Sequence, residues 1–202
     1  MRKTLLVLLL VAAVLSSAFA VKDSSVMLGL SSGYSQMISF SDSEYIENTT
    51  TEIVPVKADA LFYLGDSFAL NAALGLDIFL PEIDGADAQT GFVADILAYY
   101  RLKAGDSFDI LLGGGMSYRN QTERGTGEEN TTSTSINMLA LMASLRLQIA
   151  ASDHLGIFAG ADVGYNVMNK LTFKAGGLTI DRSPENVNIM PWAVKAGINY
   201  RF

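Results

Sequence analysis

The chain has 202 residues, of which 50% are hydrophobic and 17% are charged, and this charged share is low for a water-soluble domain. Its 21 acidic residues exceed its 14 basic residues, which argues against nucleic-acid binding because that function needs a basic surface. It has no cysteine and one histidine, His154, which excludes a disulfide scaffold, a thiolate zinc site and a paired-histidine metal site.

The first 20 residues have the pattern of a secretory signal peptide. Arg2 and Lys3 give a basic start, an apolar run covers residues 5–15, and Ala18-Phe19-Ala20 has the small residues of a cleavage site. The run is shorter than the ~20 residues that a membrane-spanning helix needs. We therefore predict cleavage near Ala20, which leaves one domain at 21–202.

The rest of the chain alternates apolar residues with polar or small ones, which is the pattern of a β-strand with two unlike faces. The alternation predicts eight strands at 26–34, 54–64, 68–80, 92–103, 108–119, 137–149, 155–167 and 192–202. These lengths suit tilted strands that cross a membrane, since strands of globular proteins are nearer 5–6 residues long.

The connections between these segments alternate between short and long. Three short turns contain residues that favour turns: Gly65-Asp66-Ser67, Gly105-Asp106-Ser107 and Ser152-Asp153-His154. Four long loops cover 35–53, 81–91, 120–136 and 168–191. We expect the turns and both termini at one rim and the loops at the other. In the last loop, the alternation of Leu171, Phe173, Leu178 and Ile180 predicts that a hairpin extends above the membrane.

Alternation alone leaves open which face points inward, because a soluble lipocalin-type barrel also has eight strands. The polar face is rich in Gly, Ala and Ser, which suit a crowded interior. Pairing the strands about their turns also sets large residues against small ones: Tyr63 against Ala69, Lys57 against Gly75, Leu97 against Gly113, Asp95 against Gly115 and Ser144 against Gly160. Both observations favour a filled lumen behind an apolar outer face.

Aromatic residues of the apolar face collect at both ends of the predicted strands. The turn end has Phe62, Phe68, Tyr100, Phe108, Tyr200 and Phe202, and the loop end has Tyr34, Tyr118, Tyr165 and Trp192. Two aromatic girdles around an aliphatic band are typical of a membrane barrel. In a membrane the sheet must close, because every backbone polar group has to pair within the protein.

The inward face carries charges of both signs, which we predict to form a structural network: Lys57, Asp59, Asp77, Asp95, Arg101, Lys103, Asp109, Arg119, Arg146, Asp162, Lys195 and Arg201. Buried charges persist when they are paired and hydrogen-bonded. Arg101 is expected opposite Asp109, and Lys195 and Asp162 are expected to form a central pair. Inward apolar residues, among them Leu61, Leu97 and Leu111, would suit the lining of a channel, which stays an alternative hypothesis for the lumen.

The chain resembles the small eight-stranded outer-membrane barrels of Gram-negative-type bacteria, the superfamily of OmpX and Ail, the OmpA transmembrane domain and OmpW. The resemblance covers 21–202 and rests on the signal peptide, the strand count, the alternation of turns and loops, and the terminal segment Val194-Lys-Ala-Gly-Ile-Asn-Tyr-Arg-Phe202. It implies an all-β, eight-stranded antiparallel up-and-down transmembrane β-barrel in the bacterial outer membrane, with turns toward the periplasm. It also implies an assembly signal that contains Tyr200 and Phe202.

The same resemblance guides the functional expectation. Enzymes of these families use a histidine near the outer leaflet, whereas His154 lies in a turn at the opposite rim. We therefore expect no catalytic, cofactor or metal site. We expect a structural or surface-interaction role through four long extracellular loops, with outer-membrane lipid, the barrel assembly machinery and an extracellular or host molecule as partners. The alternative is an OmpW-like narrow channel for small hydrophobic solutes.

Overall fold

The structure is a computed structural model that describes residues 26–41, 49–81, 88–125, 132–175, 178–182 and 187–202. The predicted signal peptide lies outside these residues. In the described part there are nine strands: β1 (Val26–Ser41), β2 (Thr49–Leu64), β3 (Phe68–Phe79), β4 (Gln89–Lys103), β5 (Phe108–Gly125), β6 (Thr132–Ala150), β7 (Leu155–Ala175), β8 (Leu178–Arg182) and β9 (Val187–Arg201). No helix among the described residues is long and apolar enough to cross a membrane.

Eight of these strands close into a barrel. Strands β1 to β7 pair in sequence order, and β9 pairs with both β7 and β1. Every pairing is antiparallel, so the predicted eight-stranded up-and-down barrel is confirmed. The remaining strand, β8, is short and lies outside the closed ring. It pairs with the end of β7, where Phe173 lies opposite Ile180 and Ala175 opposite Leu178.

The pairing register sets the size of the barrel. A row of directly opposed residues that starts at Tyr63 in β2 passes through all eight barrel strands and returns to β2 at Ile53, ten residues away. Such a stagger across eight strands corresponds to strands tilted by about 40°. An eight-stranded barrel has an interior just wide enough for side chains to fill.

The strands extend further toward the loop end than the alternation predicts. The alternation predicts a loop at 120–136, but β5 continues to Gly125 and β6 begins at Thr132. Thr122 pairs with Ser135 there, and their hydroxyl groups are 2.9 Å apart. The amphipathic pattern fades in this segment because both faces carry polar residues, although the backbone pairing continues. The predicted loops 35–53, 120–136 and 168–191 therefore contain paired strand over much of their length, whereas in 81–91 only residues 89–91 belong to a strand.

Two of the three hairpins differ in register from the prediction by two residues. Each short hairpin is symmetric about the central aspartate of its turn, so Leu97 lies opposite Gly115, Asp95 opposite Ser117, Ser144 opposite Asp162 and Arg101 opposite Leu111. The predicted pairs Tyr63–Ala69 and Lys57–Gly75 are present in the first hairpin. A slip of two residues keeps every side chain on its predicted face, whereas a slip of one would invert the faces.

Large residues still face small ones in the observed register. Tyr99 lies opposite Gly113, and Arg146 lies opposite Gly160. A Cβ atom on Gly113 would lie 1.9 Å from the carbonyl oxygen of Ala98, which is backbone and cannot move aside cheaply. Glycine is therefore required at this position, because the backbone of β4 lies too close for any side chain.

The predicted faces are present throughout the barrel. Outward apolar side chains such as Leu30, Ile96 and Leu112 are exposed, whereas eight of the twelve predicted inward charges are buried. Most of the turn-end aromatic residues also face outward, and Phe68 packs edge-on against Tyr100 at 5.7 Å between ring centroids. Phe62 is an exception to the predicted girdle, because it is buried in a cluster with Val26.

Candidate functional site

The barrel interior is the candidate site, because it brings together charged residues from distant parts of the chain. Five ion pairs lie there among the described residues: Lys57–Asp95 at 2.6 Å, Arg101–Asp109 at 2.8 Å, Arg119–Asp77 at 3.4 Å, Arg146–Asp59 at 3.0 Å and Lys195–Asp162 at 2.7 Å. None of the ten side chains is more than 15% exposed. At this depth each charge depends on its partner, since a lone buried charge is strongly destabilising.

Small residues on intervening strands let these pairs form. Lys57 on β2 and Asp95 on β4 are separated by β3, whose inward residues at this level are Ala73 and Gly75. These short side chains leave room on the inner face of β3, so the Lys57 side chain can reach Asp95. The Gly- and Ala-rich inward face predicted by the sequence therefore has a direct role in bringing the charges into contact.

Arg146 spans the lumen near the turn end. Its Nη1 donates to Oδ1 of Asp59 and to Oδ1 of Asn71, both at 3.0 Å, while Nε and Nη2 donate to Oε1 of Gln148 at 3.3 and 3.2 Å. The guanidinium carbon lies 3.5 Å from the ring centroid of Phe158, a cation–π contact. Arg146 is 1% exposed, and its bonds join β2, β3 and β6 across the interior.

Lys195 and Asp162 belong to a second network. The Nζ atom of Lys195 donates to both carboxylate oxygens of Asp162, at 3.0 and 2.7 Å. The hydroxyl of Ser144 donates to Oδ1 of Asp162 at 2.5 Å, and the Tyr99 hydroxyl lies 2.8 Å from that of Ser144. Contacts therefore run from β4 through β6 and β7 to β9.

Apolar clusters pack against the charged layers. Toward the loop end, Met37, Ile53, Phe79 and Met138 form one buried cluster. A larger cluster contains Leu61, Leu97 and Leu111, which the sequence suggested as a channel lining, together with Met27, Tyr63, Ala69 and Tyr99. Leu61, Leu97 and Leu111 are at most 2% exposed. These residues pack against one another in the structure.

Two predicted inward charges lie outside the five buried ion pairs. Lys103 is half-exposed at the turn rim, where its Nζ lies 2.5 Å from Asp66, so it does not belong to the buried network that the sequence predicts. It lies at the end of β4, beyond the enclosed part of the barrel. Hydrogen bonding from Lys103 holds the pKa of Asp66 below its ordinary value. Arg201 forms no ion pair with another described residue.

The turn rim also holds the last residues of the chain. The His154 ring stacks on Tyr200 at 5.6 Å, and Tyr200 meets Phe202 edge-on at 5.1 Å. The Phe202 amide donates to the Val26 carbonyl at 3.2 Å, so the C-terminal end closes against the start of β1. Among the described residues, no group of three or more His, Cys, Asp or Glu could hold a metal ion.

The network also contains uncharged polar side chains that the sequence pattern did not single out. Asn71, Gln148 and Asn199 are buried in the lumen, and Nδ2 of Asn199 donates to Oε1 of Gln148 at 2.9 Å. Their inward parity could have identified them, because buried amides need hydrogen-bond partners as charges do.

Comparison with solved structures identifies the fold. Neisserial surface protein A is similar with a TM-score of 0.55 and 12% identity, covering 87% of this chain and 97% of that one. OprG from Pseudomonas aeruginosa gives 0.57 and 13%, covering 89% and 95%. A major outer membrane protein from Thermus thermophilus gives 0.55 and 12%, covering 89% and 100%.

The chain has the fold of the small eight-stranded outer-membrane barrels. No protein-family model and no curated protein matches the sequence. At these identities the structural likeness establishes the fold alone, so the role of this chain is inferred from its own residues.

Proposed function

We propose that this chain is an integral outer-membrane barrel without enzymatic activity, closed by its own interior and active through its extracellular strands and loops. The observation that carries the proposal is the division of the two faces. Apolar side chains lie exposed around the outside, whereas ten charged side chains form buried pairs inside. Exposed apolar residues are stable against lipid, and buried charges are stable only when paired.

The interior supports a plug rather than a wide pore. Arg146 and Lys195 hold networks that reach across the lumen, and apolar clusters pack against these networks. A structural or surface-interaction role then depends on the part beyond the apolar band. That part includes the paired extension of β5 and β6 and the hairpin of β7 and β8.

Location and assembly follow from the two ends of the chain. Residues 1–20 would direct export and be cleaved near Ala20. Phe202 is 71% exposed and Tyr200 is 48% exposed at the turn rim, so both side chains are accessible to a barrel assembly machinery as a terminal signal. The remaining proposed partners are outer-membrane lipid and an extracellular or host molecule bound by the loops.

Planar-bilayer recording of the purified barrel tests this proposal. We expect no large, steady ion conductance from the wild-type protein, because paired side chains fill the lumen. Lys195→Ala removes one partner of a central pair, and we expect it to increase leak events over wild type. A stable wild-type conductance that small apolar solutes block, and that Lys195→Ala leaves unchanged, would contradict the plug and favour a channel.

A narrow channel for small hydrophobic solutes is the second candidate, and one observation favours it. Among the described residues, β9 pairs with β7 from the turn end only as far as Val163–Trp192. Toward the loop end from this pair, β7 contains a register shift opposite Leu139 and Ala140. On the facing strand, Pro191 has no amide hydrogen to donate, so in the part of the chain that the structure describes the wall between β7 and β9 lacks backbone pairing near the loop end. The buried cluster of Met37, Ile53, Phe79 and Met138 lies at this end of the barrel.

A further inference from the structure

Aromatic and polar side chains lie together on the outer face of the barrel at its loop end. Glu52 on β2, Gln36 on β1 and Trp192 on β9 are neighbours in one row of directly opposed residues. Tyr34 lies two residues from Gln36 toward the turn end. These four residues, called the outer-face cluster below, continue the outward side of the strands, which on β1 includes the exposed Leu30. The cluster is therefore separate from the ion pairs of the lumen.

Hydrogen bonds join the polar members of the cluster. Nε2 of Gln36 donates to the Tyr34 hydroxyl at 2.7 Å, and this hydroxyl donates to Oε1 of Glu52 at 2.8 Å. The backbone of Glu52 is also fixed, because the Leu80 amide donates to its carbonyl oxygen at 2.9 Å. Glu52 is exposed, and the bond from Tyr34 uses one of the roughly four acceptor positions of a carboxylate. The cluster therefore presents oriented acceptors to its surroundings.

The aromatic members lie beside these acceptors. Tyr34 and Trp192 meet edge to face, with ring centroids 5.8 Å apart and an interplanar angle of 64°. Both side chains are only partly buried, so part of each ring is uncovered. The C–H groups of a sugar ring pack on the electron-rich face of an aromatic ring, and its hydroxyl groups donate to carboxylate and amide oxygens. An aromatic pair next to a fixed carboxylate and an amide therefore suits a sugar.

The charge of the cluster narrows the kind of sugar. Glu52 carries the only charge among the four side chains, and it repels a phosphate or sulfate group because like charges at close range disfavour binding. Uncharged hydroxyl groups have no such penalty and can donate to the carboxylate. The cluster therefore favours a neutral sugar.

The depth of the cluster indicates where that sugar is attached. Tryptophan and tyrosine at the end of a membrane barrel lie at the level of the lipid headgroups. The next outward residue of β9 toward the turn end is Val194, which is 48% exposed and belongs to the apolar band. On β2, the next outward residue toward the loop end is Thr50, which is polar and exposed. A headgroup whose acyl chains pack on the apolar band would therefore meet the cluster.

We propose that the outer-face cluster binds the uncharged sugar headgroup of a glycolipid in the outer leaflet. The sugar ring packs on Trp192, its hydroxyl groups donate to Glu52, and the acyl chains lie on the apolar face beside Val194. This inference rests on the proposed outer-membrane location and names the class of lipid that the barrel selects. It uses no residue of the lumen network.

Tryptophan fluorescence of the full barrel in detergent micelles tests the site, because Trp192 is the only tryptophan of the sequence. We expect diglucosyl diacylglycerol to change the emission of Trp192 in a saturable way. Phosphatidylglycerol with the same acyl chains should not, and neither should the free disaccharide in the same concentration range. Equal saturation by phosphatidylglycerol or by the free sugar would overturn the proposal, as would an emission that the glycolipid leaves unchanged.

Glu52→Gln tests the carboxylate at nearly unchanged shape. We expect glycolipid binding about fivefold weaker, because a hydrogen bond to a charged group is roughly twice as strong as a neutral one. Tyr34→Phe keeps the ring but removes the hydroxyl that orients Glu52, so it should also weaken binding. Asp181→Asn is the matched control, because Asp181 is an exposed acid at the loop end outside the cluster, and it should bind as wild type. Wild-type affinity in folded Glu52→Gln and Tyr34→Phe would contradict the site.

Failure of this site and failure of the proposed function give different results. A barrel that folds in micelles, shows no steady conductance and does not bind the glycolipid overturns the site and leaves the plug intact. A barrel that conducts steadily but binds the glycolipid through Glu52 overturns the plug and leaves the site intact.

Discussion

At the scale of single residues, the barrel separates charges that depend on a partner from charges that do not. Lys195 and Asp162 are 13% and 6% exposed, whereas Lys103 and Asp66 are 51% and 86% exposed at the turn rim. Both pairs have short contacts, so distance alone does not distinguish them. Burial does, because water screens an exposed pair and leaves it worth little.

Lys195→Met should therefore destabilise the barrel strongly, by up to about 3–5 kcal/mol, because it leaves the Asp162 carboxylate buried without its base. Combining it with Asp162→Asn removes both charges at similar size and should be milder than Lys195→Met alone. Denaturant titration of the barrel refolded in lipid vesicles measures both. Lys103→Met is the matched control and should unfold close to wild type; an equal loss there would contradict a burial-dependent role.

Leu112→Arg tests the lipid-facing assignment. Leu112 is 46% exposed on the outer face, four residues above Phe108 and six below Tyr118, which places it near the middle of the apolar band. Arginine at the midplane of a membrane barrel costs about 2–4 kcal/mol, so folding into bilayers should be impaired. Thr50→Arg places the same charge on an exposed residue at the loop end of β2 and should be tolerated. Equal tolerance of both changes would favour a water-facing exterior.

At the scale of the elements, the short hairpins and the long hairpins differ in how they end. The turn-end hairpins stop within a few residues of the apolar band, at Gly-, Asp- and Ser-containing turns. At the loop end, β1 and β2, β5 and β6, and β7 and β8 continue as paired strands. On β8, Asp181 accepts from Thr172 at 2.8 Å and pairs with Lys170 at 2.7 Å. The bond from Lys170 also holds the pKa of Asp181 below its ordinary value. The protruding strands are therefore held by polar side chains as well as by backbone pairing.

Deleting Phe202 should separate assembly from stability in the terminal strand. Its side chain is 71% exposed, so it contributes only a small part of the roughly 1.5–3 kcal/mol that a fully buried phenylalanine provides. We expect the deletion to reduce outer-membrane insertion in cells more than refolding in detergent. Phe68→Ala removes an aromatic group of similar exposure at the same rim and should leave insertion nearly unchanged. Equal losses in both assays for the Phe202 deletion would argue against a recognition role.

At the scale of the whole molecule, closure is complete at one seam and partial at another. Strands β1 and β9 pair from Met27–Arg201 up to Ser41–Val187. Among the residues that the structure describes, strands β7 and β9 pair only from Leu155–Tyr200 up to Val163–Trp192. At their loop-end side, the described contacts include a hydrogen bond from the Tyr165 hydroxyl to Asn188 at 2.6 Å. The barrel wall is therefore weakest between β7 and β9 near the loop end.

Amide hydrogen exchange should reveal this difference. Residues 164–170 of β7 should contain amides that exchange faster than those of 155–163, because the former have no backbone partner on β9 in the described part. Residues 35–39 of β1 lie at the same end of the barrel and pair on both sides, so they provide the internal control and should stay protected. Uniform protection across β7 would mean that the seam is closed in the membrane and would weaken the channel candidate.

The sequence by itself determined which residues of a strand share a face, because that depends only on the two-residue period. The small residues of the polar face and the aromatic girdles of the apolar face then placed Lys57, Arg146 and Asp162 inside without knowledge of any partner. The same local reasoning located the three turns. It failed for the extent of β5 and β6, because polar residues on both faces above the membrane remove the periodic signal while backbone pairing continues.

The tertiary structure decided most of the contacts between inward residues. The sequence paired Arg101 with Asp109 and Lys195 with Asp162, and the structure contains both pairs, but the other three ion pairs were not predicted. Lys57 reaches Asp95 across an intervening strand, and Arg146 reaches Asp59 across the lumen. These contacts depend on the ten-residue stagger with which the sheet closes, which is a property of all eight strands together. A two-residue change in hairpin register leaves the faces unchanged but exchanges the neighbours. Local alternation therefore determines which residues lie on each face of the barrel wall, whereas closure determines its ion pairs and its seam.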